Sequence, residues 1–168
     1  MIHVCSLAAL PDTDKATGAS HVLTVMAKVD QVLRPESVLE ANHLKVAMDD
    51  ITEEIDGFVA PCDSHIEQVL SFVRGWDRGA PLVVHCYAGI SRSTASAFAA
   101  VCALNPHRDE IAIARQIRAA SPIASPNRLI VSLADKALGR EGRMLRALDE
   151  MGPGSMTAEG RPFRIELE

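Results

Sequence analysis

Hydrophobic positions along this chain follow two rhythms, a short one near the start and a helical one later. Ile2 to Leu7 and His21 to Met26 are short, largely apolar runs of strand length. Leu44, Val46 and Met48 alternate with other residues, the period of a half-buried strand. Pro81 to Val84 is a fourth apolar run and reads as a short buried strand. The polar stretch Pro11 to Ser20 between the first two strands reads as a loop with a helical turn. Ile66, Val69, Leu70, Val73 and Trp76 recur at helical spacing, with Asp63 or Ser64 placed to cap the start. Gly75 and Gly79 help to end that helix before the fourth strand.

The second half is helical throughout. Ser93 to Leu104 is rich in alanine, a strong helix former, and stops near Asn105-Pro106. A further helix is predicted from about Arg108 to Ala120. Ser125-Pro126 opens another, with Ser125 as cap and Pro126 in the first turn, running to about Leu138 with Gly139 closing it. Glu141 to Met151 forms the last. Residues 152–168 hold Gly152, Pro153, Gly154, Gly160 and Pro162 with few large apolar side chains, so a loosely held tail is expected after a single domain over 1–151. No internal repeat is present. Strands with helices first and helices alone afterwards predict an α/β fold, a central and largely parallel sheet flanked by helices on both faces.

Composition narrows the function. At 168 residues the chain can bury a sizeable core unaided. A net charge of −5 argues against bulk nucleic-acid binding but not against a phosphate ligand, because the potential at a loop is local. No apolar run is long enough to span a bilayer, and no basic region precedes the first apolar residues as in a secretory signal. Cys5, Cys62, Cys86 and Cys102 are scattered without metal-ligand spacing and read as reduced thiols of a cytoplasmic protein. No metal and no cofactor are expected.

One run carries chemistry: His85-Cys86-Tyr87-Ala88-Gly89-Ile90-Ser91-Arg92-Ser93. It lies between a predicted strand and a predicted helix. A tight loop opening a helix presents free N–H groups to one point, and the helix dipole adds to their attraction for an anion. A cysteine at the base of such a cradle is held as a thiolate. Arg92 has the planar fork that grips two oxygens of a phosphate, and a cation at a helix start is disfavoured unless an anion belongs there. Gly89 supplies a backbone angle other residues avoid, or lets the N–H groups converge.

These residues resemble the phosphate-binding loop of cysteine-dependent protein phosphatases, and the dual-specificity branch in particular, whose loop usually reads His-Cys-x-x-Gly-x-Ser-Arg-Ser. The motif covers His85 to Ser93, and a looser likeness extends from about His43 to Leu138. The resemblance implies a cysteine phosphatase fold and hydrolysis of phosphate monoesters through a phosphocysteine on Cys86. It implies that Arg92 binds the equatorial oxygens, and that Tyr87, Ala88, Gly89, Ile90 and Ser91 supply backbone N–H groups. The Ser93 hydroxyl would bond the cysteine sulfur and help the thiolate leave; a simple helix cap is the alternative. His85 would order the loop. The general acid would be an aspartate on a loop upstream. Aligning the Leu44-Val46-Met48 strand with the family pattern puts it at Asp50, with Asp49 as the alternative. Pro126-Asn127 matches a Pro-Asn pair seen often in this branch, where Asn127 would brace the phosphate loop; a structural helix start is its plainer reading.

Other functions stay open. A catalytically dead module that binds phosphorylated partners typically lacks the cysteine, the arginine or the acid, and this chain keeps all three. Sulfur-transfer and arsenate-reducing enzymes also set a cysteine in an anion loop, but the Ser-Arg-Ser ending is not their usual pattern. Tyr87, Ala88, Ile90 and Ser91 are uncharged, which favours a phosphoprotein partner over the phosphoinositides or small molecules that a related phosphatase could take. Lys136, Arg140, Arg143 and Arg146 are spaced as a solvated helix face, with docking of an acidic partner as the sharper reading.

Overall fold

The computed structural model describes residues 1–167. Five strands form one sheet: β1 (Ile2–Ser6), β2 (His21–Val25), β3 (His43–Val46), β4 (Leu82–Cys86) and β5 (Phe163–Ile165), in the order β3-β2-β4-β1-β5. The first four run parallel, and β5 lies antiparallel to β1 at the edge. The helices are α1 (Leu10–Thr17), α2 (Asp63–Gly75), α3 (Arg92–Leu104), α4 (Glu110–Ala120), α5 (Arg128–Ala137) and α6 (Arg143–Met151).

The two-residue period of the strands divides the core. Val4, Leu23, Val25, Val46, Leu82 and Val84 face the larger cluster, which α2 to α6 complete. Cys5, Val22 and Val83 point the other way and meet Leu10 of α1 together with Val32 and Val38 of the β2–β3 connection. The sheet is therefore covered on both faces, as a parallel sheet must be. β4 is buried along its whole length, and its C-terminal end delivers Cys86 to the edge where an open α/β sheet binds ligands. Helix α3 is buried nearly all round. Its small residues Ala95, Ala97, Ala99 and Ala100 let the sheet, α2, α4 and α5 close in on it, and Phe98 fills the space that remains.

Four expectations are corrected. Residues Leu10 to Thr17 form a full helix rather than a turn in a loop. Pro11 sits in its first turn, and Gly18 closes it at φ 62°. Helix α2 starts one residue early: Cys62 is the cap position, and its N–H donates to His65 Nδ1 at 3.3 Å. Helix α5 begins at Arg128 and is capped by Asn127, whose Oδ1 accepts from the Ile130 N–H at 3.1 Å, so Ser125 and Pro126 precede the helix. Finally, the segment after Met151 is tied down. Ile165, Arg164 and Phe163 pair with Ile2, His3 and Val4, because β1 would otherwise leave an open sheet edge.

The basic stretch also divides. Arg140 is buried and donates to Glu110 Oε1 at 2.7 Å and to the Cys102 carbonyl at 2.6 Å, while Arg143 Nε reaches the same carboxylate oxygen at 3.1 Å. Lys136 remains exposed, paired with Asp63 at 3.1 Å. No helix among the described residues is long and apolar enough to cross a membrane.

Candidate active site

The turn from β4 into α3 is held from outside through its carbonyl groups. Four of its carbonyl oxygens are bound by surrounding backbone N–H groups. The Leu7 N–H donates to Tyr87 O at 3.1 Å, the Gly160 N–H to Ala88 O at 2.8 Å and the Ser125 N–H to Ile90 O at 3.0 Å. Ser91 O accepts from the N–H groups of Ala95 and Asn127 at 3.0 and 3.3 Å. The Thr94 hydroxyl reinforces the last two carbonyls at 2.6 and 2.9 Å. Carbonyls engaged outward leave N–H groups free to face the centre, and the Gly89 N–H does so toward the Cys86 sulfur. Gly89 makes the bend possible. Its φ is 72°, and a Cβ there would lie 2.7 Å from the backbone of Cys5 and Ser6. The expected backbone angle is present, and the close approach of β1 is a second reason for glycine.

Cys86 lies at the base, 2% exposed. Its sulfur is 3.2 Å from the Ser93 hydroxyl and accepts from the Gly89 N–H at 3.3 Å. Ser93 is fully buried in the first turn of α3 and aims at sulfur, which excludes the cap reading. Arg92 donates through Nη1 to the Met48 carbonyl at 2.9 Å, while its Nε is buried with no partner. An unsatisfied buried donor costs about 1–3 kcal/mol, so this one calls for an acceptor.

His85 is fully buried behind the loop. Its Nε2 shares the Thr24 hydroxyl with His43 Nε2, at 2.7 and 2.8 Å. Burial, with some help from His43, pushes His85 down to about 4, against the opposing pull of its bond to the Cys86 backbone. Burial, then Lys45 and Arg34, takes His43 to about 4 as well. Both rings are neutral near pH 7. A single hydroxyl proton then requires one ring to accept it and the other to donate its own, which fixes the two tautomers relative to each other.

The two candidate aspartates line the same cavity and differ in their hydrogen-bond partners. Asp50 Oδ1 accepts from the Ser91 hydroxyl at 2.7 Å and from Asn127 Nδ2 at 2.8 Å, which places its carboxyl at the rim of the loop. Asp49 instead closes a turn: its Oδ2 accepts from the Val59 N–H at 2.8 Å, and its N–H donates to Val59 O at 2.8 Å. Asn127 also donates to Ile51 O at 3.2 Å. One side chain thus caps α5 and clasps the segment that carries Asp50, while its backbone N–H braces the loop at Ser91.

Comparison with known proteins follows from this geometry. No family model matches the sequence, and no curated protein matches it either. Solved structures do. Human DUSP28 is 20% identical, with 83% of this chain and 89% of that one covered and a TM-score of 0.62. The Yvh1 phosphatase domain from Chaetomium thermophilum is 21% identical over 85% of this chain and 93% of its own, TM-score 0.63. PTPMT1 in complex with PI(5)P is 18% identical over 88% and 94%, TM-score 0.57. The chain has the dual-specificity phosphatase fold.

On this phosphatase fold a cavity of about 460 Å³ opens over the loop, lined by Leu7, Met26, Asp49, Asp50, Tyr87 and Arg92 among others. Tyr87 is 68% exposed at its edge, a side-chain position in addition to the backbone role expected for it. Among the described residues no group of three or more His, Cys, Asp or Glu side chains could hold a metal. Burial pushes Cys5 and Cys102 each up to about 12, which keeps them protonated. Three parts of the site lay outside the sequence reading: the Ser91 hydroxyl on Asp50, the Thr24–His43 pair behind His85, and the Gly160 contact. All three are long-range contacts that bring the loop or its histidine against residues outside the nine-residue motif.

Proposed function

We propose that the chain is a cysteine-dependent phosphatase that hydrolyses phosphate monoesters of proteins through a phosphocysteine on Cys86. The observation that carries this reading is the convergence on one sulfur: Ser93 and the Gly89 N–H within 3.3 Å of it, in a loop whose Tyr87, Ala88, Ile90 and Ser91 carbonyls are bound from outside. Substrate phosphate sits in the N–H cradle, and the free edge of Arg92 holds two of its oxygens. The sulfur attacks phosphorus in line, the ester P–O bond breaks, and Asp50 gives its proton to the departing oxygen. Water then attacks the phosphocysteine and loses a proton to the Asp50 carboxylate. The S–P bond breaks, the Ser93 hydroxyl stabilises the thiolate, and inorganic phosphate leaves.

A protein substrate is favoured by the surroundings of the cradle. The segment after Asp50 carries Glu53, Glu54 and Asp56, all exposed, beside exposed Ile55, Phe58 and Val59. An acidic and apolar rim repels an anionic lipid surface and suits an uncharged or basic polypeptide. The four free thiols fit a reducing cytoplasm, where we place the reaction. The test is a panel of para-nitrophenyl phosphate, phosphotyrosine and phosphoserine peptides, phosphoinositides and thiosulfate. Turnover of the aryl phosphate and phosphopeptides supports the reading. Preference for phosphoinositides overturns the substrate class, and thiosulfate turnover alone overturns the reaction.

A further inference from the structure

The C-terminal segment crosses the phosphate loop on its way to β5. Arg118 Nη2 donates to Gly152 O at 2.8 Å, and the Gly154 N–H donates to Ser125 Oγ at 3.2 Å. Farther along, Ser6 Oγ donates to Glu159 Oε1 at 2.5 Å, and the Gly160 N–H donates to Ala88 O at 2.8 Å. Gly160 is buried, and a Cβ there would stand 2.9 Å from Gly89 O and 3.2 Å from Ala88 O. The chain at this point is packed backbone to backbone with the loop, and only glycine fits.

The Ala88–Gly89 peptide is held at both ends. Its carbonyl faces outward to Gly160, and its N–H faces inward to the Cys86 sulfur at 3.3 Å. These are two ends of one rigid plane, because the peptide bond does not bend between them. Whatever fixes the carbonyl therefore fixes the N–H. A glycine at position 89 with positive φ would otherwise let this plane rotate, since glycine tolerates many backbone angles. A rotated plane would turn Ala88 O toward the site, where it would repel both the thiolate and a bound oxyanion.

We propose that residues 152–162 act as a strap that locks the Ala88–Gly89 peptide in its anion-binding orientation, with Gly160 as the positioning residue and the Glu159–Ser6 hydrogen bond as its latch. The latch is anchored well: Ser6 is fully buried at the end of β1, opposite Cys86 in the sheet register, and its oxygen also accepts from the Ala9 N–H at 3.1 Å. Gly160 touches no substrate. It acts through the peptide plane it holds. The strap rests on the proposed phosphate site, but its effect is on oxyanion binding and does not require turnover.

The experiment measures inhibition by vanadate, binding of inorganic phosphate, and kcat and KM for para-nitrophenyl phosphate. It uses the full chain and the variants Gly160→Ala, Glu159→Ala and Glu159→Gln. Displacing the plane in Gly160→Ala should weaken vanadate inhibition and lower kcat/KM by about tenfold to a hundredfold, the scale of a small misplacement at a reacting centre. Glu159 is exposed, so Glu159→Ala should keep its thermal midpoint while losing a smaller share of both quantities. Glu159→Gln keeps an acceptor for Ser6 and should restore most of that loss. A purely structural strap would lower the thermal midpoint without separating Ala from Gln at position 159 in vanadate affinity. That result, or wild-type vanadate inhibition in both Gly160→Ala and Glu159→Ala, overturns the strap. A wild-type chain that binds vanadate and phosphate without turnover overturns the hydrolase reading and leaves the strap to be judged by binding. A wild-type chain that binds neither overturns both.

Discussion

Asp49 and Asp50 are adjacent in the chain and unlike in consequence. Asp50 is held over the cradle by Ser91 and Asn127, and Asp49 is spent on Val59. Asp50→Asn should slow hydrolysis of alkyl phosphates by roughly 10²- to 10⁴-fold and of substrates with acidic leaving groups far less, the signature of a lost general acid. Asp49→Asn should lower rates mildly and equally across the series. A leaving-group series run on both variants decides it, and the reverse pattern moves the acid to Asp49. Arg92→Lys should be nearly as damaging as Arg92→Ala, because lysine keeps the charge and loses the fork; recovery of most activity in the lysine variant would reduce Arg92 to a distant charge. At this scale the motif was legible. Cys86, Gly89 and Arg92 were proposed from local chemistry that nine consecutive residues contain, and the place of Ser93 beside the sulfur was implied by the resemblance. The choice between the aspartates rested on aligning the Leu44-Val46-Met48 strand with the family pattern, and the structure gives each a separate set of partners. The sequence could not show that Ser91 would use its hydroxyl as well as its backbone, since its partner lies 41 residues away.

Elements were legible where periodicity was strong. β1, β2, α2 and α3 stand within a residue or so of their expected ranges, because each is built from a run of buried apolar positions, and β4 runs two residues past its expected end at Val84. Their ends were harder. Helix α5 opens at Asn127 rather than Ser125, since the Asn127 amide is needed by the Asp50 segment and its carbonyl oxygen by Ile130. Asn127→Ala should therefore cost about 1 kcal/mol of cap stability and, separately, slow alkyl phosphates more than aryl ones. Equal slowing of both would leave only the cap. The last turns of the chain misled by composition: glycine and proline suggest looseness, yet Gly154 and Gly160 are glycines because a backbone lies against them. Likewise Arg140 had the spacing of a surface charge and is a buried partner of Glu110, with side-chain exposures of 6% and 4%. Removing one partner of such a pair costs about 3–5 kcal/mol, so Arg140→Ala should lower the denaturant midpoint sharply, and the double variant Arg140→Met/Glu110→Leu should recover much of it. No loss in Arg140→Ala would contradict the pairing.

Across the whole molecule, buried imidazoles tie stability to pH. His85 and His43 sit near 4 in the folded chain against an ordinary value of 6.5, and burial moves His3, His21 and His65 down too. The unfolded chain takes up protons below pH 6.5 that the folded chain refuses. Stability is therefore full above pH 6.5, declines as pH falls toward 4, and levels out for these groups below it, with His85 alone accounting for about 3 kcal/mol. Denaturant midpoints at pH 7, 6, 5 and 4.5 check this, and a flat response would contradict the neutral His43–Thr24–His85 arrangement. The fold as a whole was legible because four parallel strands and their covering helices leave a clear pattern, whereas the antiparallel fifth strand is only three residues long and carries no signal. The central claim concerns one bond, sulfur to phosphorus. Ser93→Ala should slow the second step more than the first, so rapid acid quenching of this variant during turnover of para-nitrophenyl phosphate should trap it. Mass analysis is expected to find a phosphoryl group on the peptide containing Cys86, absent from the Cys86→Ser chain, which should turn over no substrate. Turnover by Cys86→Ser close to wild type, or a phosphoryl group on another residue, would contradict the account.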